Sequence, residues 1–455
     1  MATGSILHGY GRWMPEDFGL RRAWISTLLD QTDGLIPPTL GDRQPNPVDE
    51  FRQLIENDST LYMLANAMFE EIPTKAPYDK DPTTLKKQVR NYKTMLYLFN
   101  TLLTRVPEWF VQNGVPSGLI GFPFNIIVDW PMGTVSGRQF FLDPRVNKCL
   151  ERILNKWGEY LKNRNGGNQA LIIAGWSKPE AIKQLENKAN EVTGIARKFD
   201  QLFEFPAGGT PQNFFNYACW DDFFTRKFKT DVRPLDPSAV VNACESFPLA
   251  FDTDVSRRNT FWLKGTPYSL RDMLGAKEDG EVANYVQRFV GGAVYQAFLS
   301  ADSYHCWHAP VKGEVVYRTV LKGTYYAETA AAGFGGSSGP DPAGPDLSQR
   351  YITHVATRGV LIINTDVQDG ANIGLVAFIP VGMSEVSTCK WEDSLMVGTV
   401  VDKGDLVGAF HGGGSTHCLV FERKAVEKLQ FNPKAQYPEI ASVNLGVRSE
   451  LAKVV

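Results

Sequence analysis

Histidine is scarce and unevenly placed in this chain: of six in 455 residues, His305, His308, His354, His411 and His417 all lie beyond residue 300. Groups able to exchange a proton near neutral pH are therefore gathered in the C-terminal part. His305 and His308 stand three apart in the run Ser-Tyr-His-Cys-Trp-His-Ala-Pro, residues 303–310. On a regular strand that spacing sends the two rings to opposite faces, so they need either a bend or two separate jobs. A zinc site would ask for both on one helical face with further ligands, and Pro310 and Gly313 oppose a helix here. No metal is expected.

Residues 408–416 read Gly-Ala-Phe-His-Gly-Gly-Gly-Ser-Thr, between apolar runs at 395–401 and 418–421 that read as strands. Three glycines before a serine could cradle a phosphate, but the lysine such a loop needs is absent and no helix follows. A plain turn is the bland alternative. The sharper one is an intramolecular acyl shift, in which the Ser415 hydroxyl attacks the Gly414 carbonyl and turns an amide into an ester. Glycine at 414 leaves the approach open and tolerates strained backbone angles. Elimination and hydrolysis would leave a pyruvoyl ketone on residue 415 and cut the chain in two. Serine needs a base and a group to orient that base, so a histidine and a carboxylate are required nearby. Residues 335–338 repeat similar letters, Gly-Gly-Ser-Ser, without strands to hold them.

Composition narrows the partners. With 47 basic against 50 acidic side chains the net charge is −3, too small a field to suggest nucleic acid. Six cysteines without a CxxC pair suit reduced thiols. The first residues lack a basic then apolar leader pattern, and the uncharged stretch at residues 114–128 is broken by proline and glycine and falls short of the roughly 20 apolar residues a spanning helix needs. A cytoplasmic location without a transmembrane segment is the expectation.

The elements that must carry these residues follow from periodicity. Apolar residues at three- and four-residue spacing predict helices over 47–72, 83–110 and 145–163, with another starting at Ser177, whose spacing to Glu180 suits a capping box, and running toward 205. A turn-rich joint at 206–211 marks the boundary between a helical N-terminal domain, 1–205, and a catalytic domain, 206–455. Beyond residue 304, short apolar runs separated by Lys-Gly and Asp-Gly turns predict a compact β-barrel or sandwich, giving an α+β protein. Residues 329–346, rich in Ala, Gly, Ser and Pro, read as a mobile insert beside the site.

Several separated segments together resemble the phosphatidylserine decarboxylase family. They are Asp221-Asp-Phe-Phe-Thr-Arg ending in Arg233-Pro, the Tyr304-His-x-x-His segment, and Gly414-Ser415-Thr416. The resemblance covers roughly residues 210–455 and implies the family's fold, with self-cleavage between 414 and 415. It makes Ser415 the precursor of the pyruvoyl group, His308 the base for cleavage, and His305 the partner of the substrate carboxylate. The family's orienting aspartate falls on Glu245, and its Asn-Glu-Arg on Ala356-Thr-Arg358, so both positions depart from the pattern. The helical N-terminal region, residues 243–246 and residues 383–389 are similar to a fungal branch that decarboxylates free aromatic amino acids, L-tryptophan among them.

What the resemblance implies is a pyruvoyl-dependent carboxy-lyase working through a Schiff base without pyridoxal phosphate. Tyr304 and Trp307 are candidates for lining its pocket, with packing in the core the favoured role for each. Its partner is a small amino acid; the two fragments stay associated, and a homo-oligomer is left open. The alternatives are phosphatidylserine as substrate, or a non-catalytic binding protein on the same fold.

Overall fold

The computed structural model describes residues 18–30, 46–73, 89–112, 115–259, 267–277, 280–329, 348–385, 388–413 and 415–455. Gly414 and nearly all of the expected insert at 329–346 lie outside the described residues.

Local capping corrects several of the expected helices. The 47–72 helix is two helices, Pro47–Asn57 and Ser59–Glu70, because Asp58 is extended and its carboxylate accepts the Leu61 N–H at 2.9 Å. The 83–110 stretch holds the helix Tyr92–Leu102 and then turns into strand β1 (Glu108–Gln112), which pairs with β2 (Val115–Ile120). The N-terminal half is therefore not purely helical. Helix Pro144–Leu161 fits its expectation, capped by Asp143 with proline in the first turn. The helix expected from Ser177 runs only from Pro179 to Asn190 and has no side-chain cap bond.

The C-terminal half is built on one antiparallel sheet. Its seven strands, in spatial order, are β11 (Val400–Val401), β7 (Gly313–Leu321), β8 (Arg358–Asn364), β9 (Leu375–Gly382), β13 (Ser415–Phe421), β5 (Ala293–Leu299) and β4 (Phe247–Thr253). β11 and β4 are its two edges, so among the described residues it does not close, and the barrel expectation is corrected to an open sheet. Of the run expected as a strand at 395–401, only Val400–Val401 pairs.

A three-stranded sheet, β10 (Thr388–Trp391), β12 (Leu406–His411) and β6 (Cys306–His308), lies against β9 through Trp307 and Trp391, whose rings meet Phe378 edge-on at 5.8 and 6.0 Å. The layer between the two sheets is aromatic, with Phe410 completing it. One buried apolar cluster continues through both halves of the chain, from Trp24 to Ala452. Polar contacts also cross the expected boundary, for example Gln184 to Asp302 at 2.9 Å.

Candidate active site

Ser415 opens β13, the strand held between β9 and β5, and stands opposite Gly382 on one side and Leu299 on the other. Strand alternation puts Ser415, His417 and Leu419 on one face, and Leu419 is the partner of Phe378. The Ser415 side chain is thus on the face turned to the aromatic layer and the three-stranded sheet. It is fully buried, and its Oγ has no hydrogen-bond partner among the described residues. A buried hydroxyl left without a partner is costly, of order 1–3 kcal/mol, so its persistence asks for a role other than stability. A hydroxyl with no competing bond, next to a glycine at the mouth of a rigid strand, fits a residue converted to a pyruvoyl group.

β6 separates the two histidines of the Tyr-His-x-x-His segment as alternation requires. His305 and Trp307 share the inner face with Phe410, to which His305 is tied by the Phe410 N–H donating to its carbonyl at 3.1 Å. Tyr304, Cys306 and His308 share the outer face, packed with Val447, Ala409, Phe228 and Leu406. The two rings are set on opposite faces without a bend, and it is His305, not His308, that shares the face turned toward Ser415.

The environment of His308 defines its tautomer. Its Nδ1 lies 2.8 Å from the Gly404 carbonyl, which can only accept, so Nδ1 carries the proton. The Nε2 lone pair then faces the Tyr304 hydroxyl, which donates at 3.0 Å. Burial pushes the His308 pKa down to about 4, so the ring is neutral at pH 7 with a basic nitrogen already bonded to a hydroxyl. His305 is also buried; burial, then the Arg226 guanidinium, hold its pKa well below the usual histidine range.

The segment 221–234 works as a brace for this strand, residue by residue. Asp221 accepts from His411 Nδ1 at 2.7 Å, at the end of β12. Phe224 stacks on the His305 ring at 4.1 Å, and Phe228 stacks on Tyr304 at 4.6 Å. Arg226 donates to the carbonyls of Asp302 and Ser303, both at 3.0 Å, which fixes the chain just before His305. A sequence match to this segment carries no hint of that division of labour, which depends on contacts across 60 or more intervening residues.

Glu245 is not brought to His308. Its two oxygens take the Arg233 guanidinium as a fork and the Val447 N–H at 2.9 Å, while both ring nitrogens of His308 are bonded elsewhere. The expected orienting carboxylate is therefore corrected to a buried ion pair, and Gly404 and Tyr304 orient the ring in its place. Trp307 takes the core role rather than the pocket: it is fully buried against Phe378, Trp391 and Phe410. Tyr304 does line an open cleft together with His308, Lys227, Lys229, Arg233 and Arg448. Arg358, shared with the resembled family, has its guanidinium spent on the carbonyls of Met273, Ala356 and Asp272, a structural use.

One group escaped the sequence reading. Glu385 is 2 % exposed, and its Oε1 accepts the Asn125 N–H at 2.6 Å, while Oε2 has no partner among the described residues. Burial pushes its pKa up to about 8. Its signal was available: Glu385 is the single charged residue in the otherwise uncharged run 371–389. Among the described residues no cluster of His, Cys, Asp and Glu is arranged to hold a metal ion, and no helix is long and apolar enough to cross a membrane.

Known proteins resemble this chain along much of its length. Family profiles described as phosphatidylserine decarboxylase match residues 45–185 and 220–445. The chain is similar to decarboxylase iboD of Amanita muscaria, 35% identical over 316 residues that cover 67% of this chain and 85% of that protein. It is similar to the L-tryptophan decarboxylase of Psilocybe cubensis, 28% identical over 82% of this chain and 79% of the relative. A phosphatidylserine decarboxylase proenzyme of Bacillus cereus is 29% identical over 52% of this chain and 79% of its own length. The first two relatives take in both halves of the chain. On these grounds the chain belongs to the phosphatidylserine decarboxylase family, within its fungal branch, and is a decarboxylase.

Proposed function

We propose that this chain cuts itself between Gly414 and Ser415 and, with the pyruvoyl group so formed, decarboxylates a free aromatic L-amino acid, L-tryptophan being the first choice. The observation that carries the reading is the buried Ser415 hydroxyl without a partner at the start of the central strand β13. The pyruvoyl group supplies an electron-withdrawing carbonyl in place of pyridoxal phosphate. In this reading His308 gives up the Tyr304 hydroxyl at Nε2 and reaches past its own strand to take the Ser415 proton, while His305, on the inner face with Ser415, holds the substrate carboxylate. The likeness to two tryptophan decarboxylases over some four-fifths of this chain favours a soluble aromatic substrate.

The smaller piece, residues 415–455, would keep β13 laced between β9 and β5, so the two fragments stay together without a covalent link. Intact mass spectrometry under denaturing conditions tests the reading: a fragment of 41 residues, 415–455, with a ketone-bearing N-terminus that reacts with phenylhydrazine. A single 50.7 kDa species in fresh, folded protein would instead favour a binding protein that has lost cleavage.

One observation supports a second substrate. The cleft beside His308 carries Lys227, Lys229 and Arg448 against Glu204, the charge of Arg233 being met by Glu245, a field suited to a phosphate headgroup. Turnover of phosphatidylserine in liposomes, with no amine formed from tryptophan, tyrosine or phenylalanine, would select phosphatidylserine decarboxylation instead.

A further inference from the structure

Glu385 and Asn125 form a buried polar pair, with the buried Tyr326 hydroxyl within electrostatic reach of Glu385, that the proposed chemistry does not use. Glu385 comes from the chain just beyond β9, and Asn125 from the first turn of helix Pro123–Met132, whose N-cap residue Phe122 offers no side-chain bond. Oε1 of Glu385 satisfies the Asn125 N–H, and Ser384 donates to the Asn125 side-chain oxygen at 2.7 Å. What is left is unusual for an interior. Glu385 Oε2, Asn125 Nδ2 and the Tyr326 hydroxyl all lack hydrogen-bond partners among the described residues, at 2 %, 0 % and 2 % exposure. The Tyr326 pKa is raised by burial and by Glu385, which places the two groups within electrostatic reach.

A cap alone explains one oxygen of Glu385, and an apolar or amide side chain could complete the fold at lower cost than a buried carboxyl. Three orphaned polar atoms on side chains so linked fit a group supplied by a ligand. Their place in the fold says which ligand. Glu385 follows Gly382, the residue opposite Ser415, by three positions, a span of roughly 11 Å at most in extended chain. That is about the reach of one large side chain from a reacting centre at residue 415.

We propose that Glu385, with Asn125 and Tyr326, is the specificity-determining end of the substrate pocket and hydrogen-bonds an N–H or O–H group on the ring of the substrate side chain. The assignment rests on the decarboxylase reading and deepens it: the substrate's amine and carboxylate are used at residue 415 and His305, so only the side chain remains to be read. An indole N–H satisfies Glu385 Oε2 in its ionised form, which that hydrogen bond favours over the protonated acid, and a ring hydroxyl can also accept from Asn125. A hydrocarbon ring would leave all three atoms unsatisfied, the condition under which enzymes reject an analogue most strongly.

The test compares wild type with Glu385→Gln and Glu385→Leu. Gln keeps an oxygen for the Asn125 N–H but presents an amide N–H, a donor only, where Oε2 stands. Each protein is first weighed intact, so that failure to self-cleave is recorded against the decarboxylase reading alone. Next, kcat/KM is measured for tryptophan, 1-methyltryptophan and phenylalanine, and calorimetry gives Kd for tryptamine and 1-methyltryptamine. Wild type should favour the N–H compounds over their methylated partners by about 100-fold, and Glu385→Gln should bring that ratio within about tenfold, with phenylalanine little changed. The binding arm judges the pocket whether or not the chain cleaves. Equal ratios in wild type and both variants would reduce Glu385 to a helix cap and overturn the assignment.

Discussion

The Arg233 guanidinium forks onto both oxygens of Glu245, with Nε at 2.9 Å from Oε2, and both side chains are nearly inaccessible. A buried pair of this kind is dear to break and of little net worth compared with an apolar replacement. Arg233→Met should therefore lower the unfolding free energy by about 3–5 kcal/mol, as should Glu245→Ala, because each strands a buried charge. The double variant Arg233→Met, Glu245→Leu should recover most of the loss. Urea unfolding of the four proteins checks this, and strict additivity of the two losses would show that the residues act separately.

Cleavage and turnover should separate at the two histidines. Ser415→Ala is expected to remain one 50.7 kDa chain without activity. His308→Ala should fold but mature slowly, because the Nε2 lone pair is gone. His305→Ala should cleave normally and lose turnover. Time courses by gel and mass spectrometry decide. The reverse pattern, cleavage lost with His305 and kept with His308, would exchange the roles, as their faces on β6 would allow.

Acid should weaken the fold through its buried histidines. Burial lowers His417 to about 3 and His308 and His354 to about 4, while the unfolded value is about 6.5. The unfolded chain therefore binds protons first. Their contribution is fully present above about pH 6.5 and is lost as the pH falls from there through 4, by about 2 kcal/mol for each ring between pH 7.5 and 5. His417 has no partner for either ring nitrogen among the described residues and sits edge-on to Tyr295 and Phe378. His417→Phe should lose about 2 kcal/mol less than wild type over that pH interval. Urea melts at the two pH values measure it, and an unchanged pH dependence would mean that His417 is not held neutral.

Trp307 should prove to be a core residue. Trp307→Ala is expected to cost about 3–5 kcal/mol of stability, and the milder Trp307→Phe should keep the substrate preference of wild type. A changed ratio of tryptophan to phenylalanine turnover in a well-folded Trp307→Phe protein would return this residue to the pocket.

Much was readable from local order in the chain. The glycine run before Ser415, the three-residue spacing of His305 and His308 and the alternation after residue 300 are short-range patterns, and strand geometry converts them directly into faces and turns. The opposite placement of the two histidines followed from spacing alone. Helix ends were less accessible: Asp58 splits one expected helix because its carboxylate bonds a neighbouring N–H, a choice that competes closely with continuing the helix.

By itself, then, the sequence determined the family and singled out Ser415 for the strand-borne chemistry proposed above, since both are written in contiguous motifs. Tertiary structure decided who meets whom. Arg233, and not His308, received Glu245; Trp307 went into the layer between two sheets; and Glu385 met Asn125 across 260 positions of chain. The physical reason is that such pairings depend on strand register and on helices packed against a sheet, which sum many weak contacts between distant segments and leave no mark in the spacing of any one of them.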